Sequence, residues 1–149
     1  MIIDKNIFLL TPMVLLNNRE QEYDYCLNLM GPPKGYFVEF GVWKGKSINY
    51  MAKKRPDIIF HGFDSFEGLP EDWDMGNKIE TKGHFKVTEL PTVEKNVLLH
   101  KGLFNETLPK WKINYTGPIQ FLNIDSDLYS SARTILFELN ERIIKNTII

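Results

Sequence analysis

Four carboxylates in this chain sit at or just beyond short apolar runs, where a folded protein could use them. Glu39 lies in Tyr36-Phe-Val-Glu-Phe40, Asp64 follows Ile58-Ile-Phe-His-Gly-Phe63, and Asp125 and Asp127 follow Ile119-Gln-Phe-Leu-Asn-Ile124. Directly after the first run comes Gly41-Val-Trp-Lys-Gly45-Lys-Ser47, a tight turn that enters a helix. Strand, glycine turn and helix together make a nucleotide-binding arrangement, and three ligands compete for it. A triphosphate loop needs one more residue between its glycines, and Glu39 would place a carboxylate beside the phosphates. A dinucleotide turn needs a second glycine two after the first, and that position is Trp43. S-adenosylmethionine, which carries no phosphate, fits better. Gly41 lets the backbone approach it, Gly45 eases packing at the helix start, and the free amides there can receive its carboxylate. Glu39 can attract its ammonium, and Asp64 can accept its ribose hydroxyls.

Methyl transfer from a sulfonium is an in-line displacement, so nucleophile, methyl and sulfur must be aligned. An alcohol nucleophile also needs a base or a metal to ease its deprotonation. Asp125 and Asp127, one residue apart at a strand's carboxyl end, suit either task. The alternative for Asp127 is a helix N-cap, a reading that holds more strongly for Ser130 and Ser131. His84 lies in a long loop and could serve as a base, although lone loop histidines are more often bystanders. His61 falls mid-strand and His100 at a strand end, both structural positions.

The elements that must carry these residues alternate along the chain. A helix is expected from about Arg19 to Met30, with Tyr23, Leu27 and Met30 at helical spacing, stopped by Gly31-Pro-Pro-Lys-Gly35. Strands are expected at Tyr36–Phe40, Ile58–Phe63, Asn96–His100 and Ile119–Ile124. Helices are expected over about Ser47–Arg55, Asn105–Ile113 and Leu128–Ile144, the last burying Ile135, Leu136, Leu139 and Ile143. Ser65–Lys86 is a long loop of the kind that carries function. The final Asn146-Thr-Ile-Ile149 starts a fifth strand. Alternation of this kind gives an α/β fold with a mostly parallel sheet. Residues 1–149 form a single domain, with 1–35 as a cap or lid and 36–149 as the cofactor-binding core.

Composition narrows the partners. Hydrophobic residues make up 43% and charged residues 25%, as in ordinary globular proteins. A formal charge of −1 gives no broad basic face, which disfavours nucleic acid. The single Cys26 rules out an internal disulfide, fits a reducing compartment and reads as a small packed hydrophobe. Neither a signal peptide nor a membrane-length apolar run is evident, so a cytoplasmic protein is expected.

Four stretches carry a family resemblance: Val38-Glu-Phe-Gly-Val-Trp-Lys-Gly-Lys-Ser47, Gly62-Phe-Asp-Ser-Phe-Glu-Gly-Leu-Pro-Glu-Asp-Trp73, Lys101-Gly-Leu-Phe104 with Thr107-Leu-Pro109, and Phe121-Leu-Asn-Ile-Asp-Ser-Asp-Leu-Tyr-Ser-Ser131. Together they resemble the macrocin O-methyltransferase group of class I S-adenosylmethionine-dependent methyltransferases. The resemblance implies a Rossmann-like three-layer sandwich and methyl transfer to a hydroxyl of a small molecule, a sugar or glycosylated metabolite. It implies that Glu39, Gly41, Gly45 and Ser47 line the methionyl side. Asp64 would take the ribose, Ser65 and Phe66 would lie near the adenine, and Gly102 and Phe104 would close the adenine pocket. Asp125 and Asp127 would face the methyl, act in catalysis and could ligate Mg2+. The family's sheet continues past the fifth strand, so the fold is expected to be incomplete after that strand begins. A cofactor-binding remnant or interaction module without turnover is therefore the alternative, and an exposed strand edge would favour a homo-oligomer.

Overall fold

The computed structural model describes residues 17–149. The part of the expected cap or lid that precedes Arg19 falls almost wholly outside them. Among the described residues, five strands form one parallel sheet in the order β5-β2-β1-β6-β7. These are β1 (Tyr36–Phe40), β2 (Phe60–Asp64), β5 (Val97–Lys101), β6 (Ile119–Ile124) and β7 (Ile143–Ile148). A two-residue hairpin pair, β3 (Trp73–Asp74) and β4 (Ile79–Glu80), sits within the long loop after β2. The helices are α1 (Arg19–Leu29), α2 (Lys46–Lys54), α3 (Phe104–Asn114) and α4 (Tyr129–Leu139).

Alternation along β1 explains the layering. Phe37 belongs to a core shared with Tyr23 and Leu27 of α1, Ile48 and Met51 of α2, and Phe60. Val38 and Phe40 point the other way, into a core with Leu108 and Trp111 of α3 and Ile135 and Leu139 of α4. Successive strand side chains face opposite sides, so a strand buried on both faces reads as a continuous apolar run. Helices thus cover both faces, as the expected α/β sandwich requires.

Three boundaries differ from expectation by two residues or more. The second strand starts at Phe60, because Arg55 to Ile58 closes as a turn through Ile58 N–H to Arg55 C=O (3.1 Å). The last helix stops at Leu139, continues as a 3-10 turn over Asn140–Arg142, and gives way to β7 at Ile143. Ile143, Ile144, Thr147 and Ile148 are β-branched and favour the extended state over the helix. Consequently Ile143 pairs with Ile119 in the sheet, and Leu136 lies on the outer, half-exposed side of α4. No helix among the described residues is long and apolar enough to cross a membrane.

Candidate functional site

Parallel strands bind ligands beyond their carboxyl ends, and the cavity of about 520 Å3 lies there. Its size falls within the range of small-molecule sites. The wall includes Gly41, Ser47, Asp64, Ser65, Gly102, Phe104, Asp125 and Asp127. These eight lie at the carboxyl ends of β1, β2, β5 and β6, in the turns that follow them or in the first turn of the next helix. Glu39, Gly45 and Phe66, expected among them, do not line it.

Gly41 is fixed by the approach of another chain segment. Its backbone sits at φ 89, and a Cβ there would lie 2.0 Å from the Asp125 carbonyl oxygen. Gly45, at φ 74, is the N-cap of α2 and abuts Pro91. No side chain caps α2, so its first amides are left for another partner.

Glu39 is buried below the cavity floor. Register places Asn123 beside it on β6, and Asn123 Nδ2 donates to Glu39 Oε2 (3.1 Å). Ser47 Oγ, which reaches the cavity, donates to Glu39 Oε1 (2.7 Å). Burial raises the Glu39 carboxyl to about 7, against the opposing pull of the Ser47 and Asn123 bonds. Glu39 therefore meets the cavity through Ser47, not directly.

Asp64 Oδ2 accepts from the amides of Val42 (2.9 Å) and Trp43 (2.7 Å), and Oδ1 accepts from the amide of Phe66 (2.7 Å). Phe66, at φ 57, turns its ring into the core with Val42 and Ile48, away from the cavity. Ser65 donates to Gly68 C=O (3.1 Å) and keeps its loop compact.

Beyond β6, Asp125 is engaged by Arg19 of α1, Nη1 to Oδ2 at 2.6 Å. Asp127 sits at φ 59, a left-handed conformation that aspartate tolerates better than most residues. Its carboxyl is raised by burial and by Asp125, while Arg19 and His84 pull it down. Between them, the Ser126 hydroxyl is buried with no hydrogen-bond partner among the described residues. A polar atom left so on a cavity wall is explained by a ligand or an ordered water. Neither Asp127 nor Ser130 caps α4, whose N-cap is Leu128 without a side-chain bond. Ser130 instead donates to Glu71, tying the long loop to α4 across the cavity rim.

Magnesium needs several oxygen ligands in near-octahedral array. Among the described residues no group of three or more His, Cys, Asp or Glu side chains is gathered to hold a metal. The Asp125 carboxylate is also already paired with a guanidinium. Asp125 and Asp127 by themselves do not make a magnesium site.

Sequence reasoning missed Arg19, Tyr23, Tyr50, Leu69, Phe85 and Thr134 on the wall. Arg19, Tyr23 and Phe85 are brought to the turns only by packing, whereas Tyr50, Leu69 and Thr134 lie in the helices and loop that continue directly from them. Of the histidines, His84 is half-exposed and faces Glu80 (3.3 Å), whereas His61 and His100 form a close pair inside the protein (3.0 Å).

Two solved structures are similar in shape. One is the crystal structure of CalS11, a calicheamicin methyltransferase, with TM-score 0.71, 22% identity, and coverage of 87% of this chain and 61% of that one. The other is the apo structure of CalS11, described as TDP-rhamnose 3'-O-methyltransferase, an enzyme in calicheamicin biosynthesis, with TM-score 0.62 and 19% identity. It covers 87% of this chain and 60% of its own. The chain thus spans about three-fifths of the length of these structures. At such identities the likeness establishes the fold alone, a Rossmann-like α/β sandwich. No curated protein matches the chain. The macrocin-O-methyltransferase (TylF) profile matches residues 31–149, which hold every turn around the cavity, and the chain belongs to that family.

Proposed function

We propose that this chain carries the S-adenosylmethionine site of an O-methyltransferase whose acceptor is a hydroxyl of a small molecule, a sugar or glycosylated metabolite. The observation that carries this reading is the placement of carboxylates on both sides of the Gly41 turn. Asp64 ends β2 and Asp125 and Asp127 follow β6, strands that flank β1. A cationic sulfonium ligand is favoured among such charges, and the uncapped start of α2 suits its carboxylate. Family membership supports the same reading.

S-adenosylmethionine supplies the methyl on a sulfonium. The chain's residues bind it, exclude water and take one proton from the acceptor hydroxyl. Asp127 is the proposed base, because its raised carboxyl is closer to the working range of a proton acceptor than an ordinary aspartate.

Titration calorimetry of the folded protein with S-adenosylmethionine tests the site, and absence of binding overturns it. Methyl transfer to a panel of glycosides tests the activity. Asp127→Ala is expected to keep cofactor affinity and lower turnover by about 10²–10⁴-fold; unchanged turnover removes Asp127 from the chemistry.

A further inference from the structure

The amides of Val42 and Trp43 converge on one oxygen, Asp64 Oδ2, at 2.9 and 2.7 Å. Successive N–H groups that converge in a turn form an anion-binding concavity, the device by which glycine loops hold phosphate. In this chain the concavity is filled by the protein's own carboxylate. Trp43 contributes its amide from a backbone at φ 49, a region bulky residues rarely enter, so the turn is shaped around that acceptor. The second oxygen, Oδ1, accepts from Phe66 N–H (2.7 Å) and anchors the start of the long loop as well.

We propose that Asp64 is a positioning residue that clasps the β1–α2 turn to the β2 loop before any ligand arrives. An ionised carboxylate offers about four lone-pair sites, and three are taken by these amides. One site, on Oδ1, remains for a ligand. A vicinal diol is therefore read through one hydroxyl, and the Val42 and Trp43 amides are not free to hold phosphate. The ligand part of this inference rests on the S-adenosylmethionine reading; the clasp does not.

The test uses Asp64→Leu, which removes both acceptor oxygens at nearly the same side-chain shape. In the ligand-free protein, hydrogen exchange at Val42 and Trp43 is expected to quicken at least about tenfold, as loss of a charge-assisted bond implies. Phe37 and Val38, within β1, should keep their protection. Unchanged exchange at Val42 and Trp43 overturns the clasp. If the variant does not fold, through-hydrogen-bond couplings in the wild type decide: couplings from both amide nitrogens to the Asp64 carboxyl carbon support the clasp, and their absence overturns it.

Binding of S-adenosylhomocysteine and its 2′,3′-dideoxy analogue separates positioning from ribose contact. The variant is expected to bind even the dideoxy analogue at least about fivefold more weakly than wild type does; equal affinity leaves Asp64 as a ribose contact only. Of the two monodeoxy analogues, one should lose affinity for the wild type and the other should not, and equal losses overturn the single-site claim. Failure of the wild type to bind S-adenosylhomocysteine overturns the cofactor reading, while the exchange experiment still decides the clasp.

Discussion

Arg19 Nη1 lies 2.6 Å from Asp125 Oδ2, joining the first residue of α1 to the residue that follows β6. The pair closes one side of the cavity and sets the charge felt by Asp127. With 69% of the Arg19 side chain exposed, Arg19→Ala should change stability by less than about 1 kcal/mol in urea unfolding. Its effect should appear in the chemistry. Arg19 holds the Asp127 carboxyl down, so its loss should move the rising limb of the pH–rate profile to higher pH. A limb that stays in place would show that the two charges do not communicate.

Gly41→Ala combines two faults at one atom: a Cβ 2.0 Å from the Asp125 carbonyl oxygen and a backbone at φ 89. The obstacle is backbone and cannot rotate away. The expected cost is about 3 kcal/mol or more, read as a lower denaturation midpoint at unchanged slope. A loss below about 1 kcal/mol would mean that β1 and β6 can part without harm.

Glu39 gives the protein an unusual pH dependence. Its folded-state value, about 7, is above the ordinary 4.5, so the folded chain binds more protons than the unfolded chain between those values. Its contribution to stability is full below pH 4.5 and falls as pH rises to about 7, by about 3 kcal/mol. Glu39→Gln should remove that fall. Unfolding midpoints across pH 4.5–7.5 that move in parallel for both proteins would refute it.

His61 acts in the opposite sense. Burial and the neighbouring His100 push it down from 6.5 to about 4. Trp111 Nε1–H donates to its Nδ1 (3.2 Å), so the neutral ring carries its proton on Nε2. This contribution is full above pH 6.5 and is lost as pH falls through about 4. The two slopes oppose each other in the wild type. In Glu39→Gln, stability should therefore rise between pH 4 and 6.5, and proton NMR should show the His61 ring untitrated above about pH 5.5.

Strand cores and strand ends were legible in the sequence because parallel strands buried on both faces leave apolar runs, and the residue after each run must emerge at the ligand edge. Tyr36–Phe40 and Ile119–Ile124 match the structure residue for residue, and Asp64, Asp125 and Asp127 do reach the cavity. What escaped reading depends on register or on a sign of φ. Glu39 looks available until Asn123 is paired beside it. Phe66 looks like a loop aromatic until a left-handed φ turns it into the core. Arg19 carries no local sign of its task, since its partner is 106 residues away. The start of the last strand is hidden because the apolar spacing of Ile135, Leu139 and Ile143 continues a helical period that the β-branched residues override.

The central position of β1 has a consequence for the order in which the protein assembles. β1 joins β2 locally but meets β6 only across a long span, with Glu39 and Asn123 84 residues apart. Loop closure of that length makes the β1–β6 step a slow one in folding. Until it occurs, the Gly41 turn has no Asp125 carbonyl above it and the acidic residues have no common cavity. A nascent chain released as far as β5 can therefore hold half a sandwich with Asp64 and the Gly41 turn in it, yet the wall that Asp125 and Asp127 supply is added only after β6 has paired with β1.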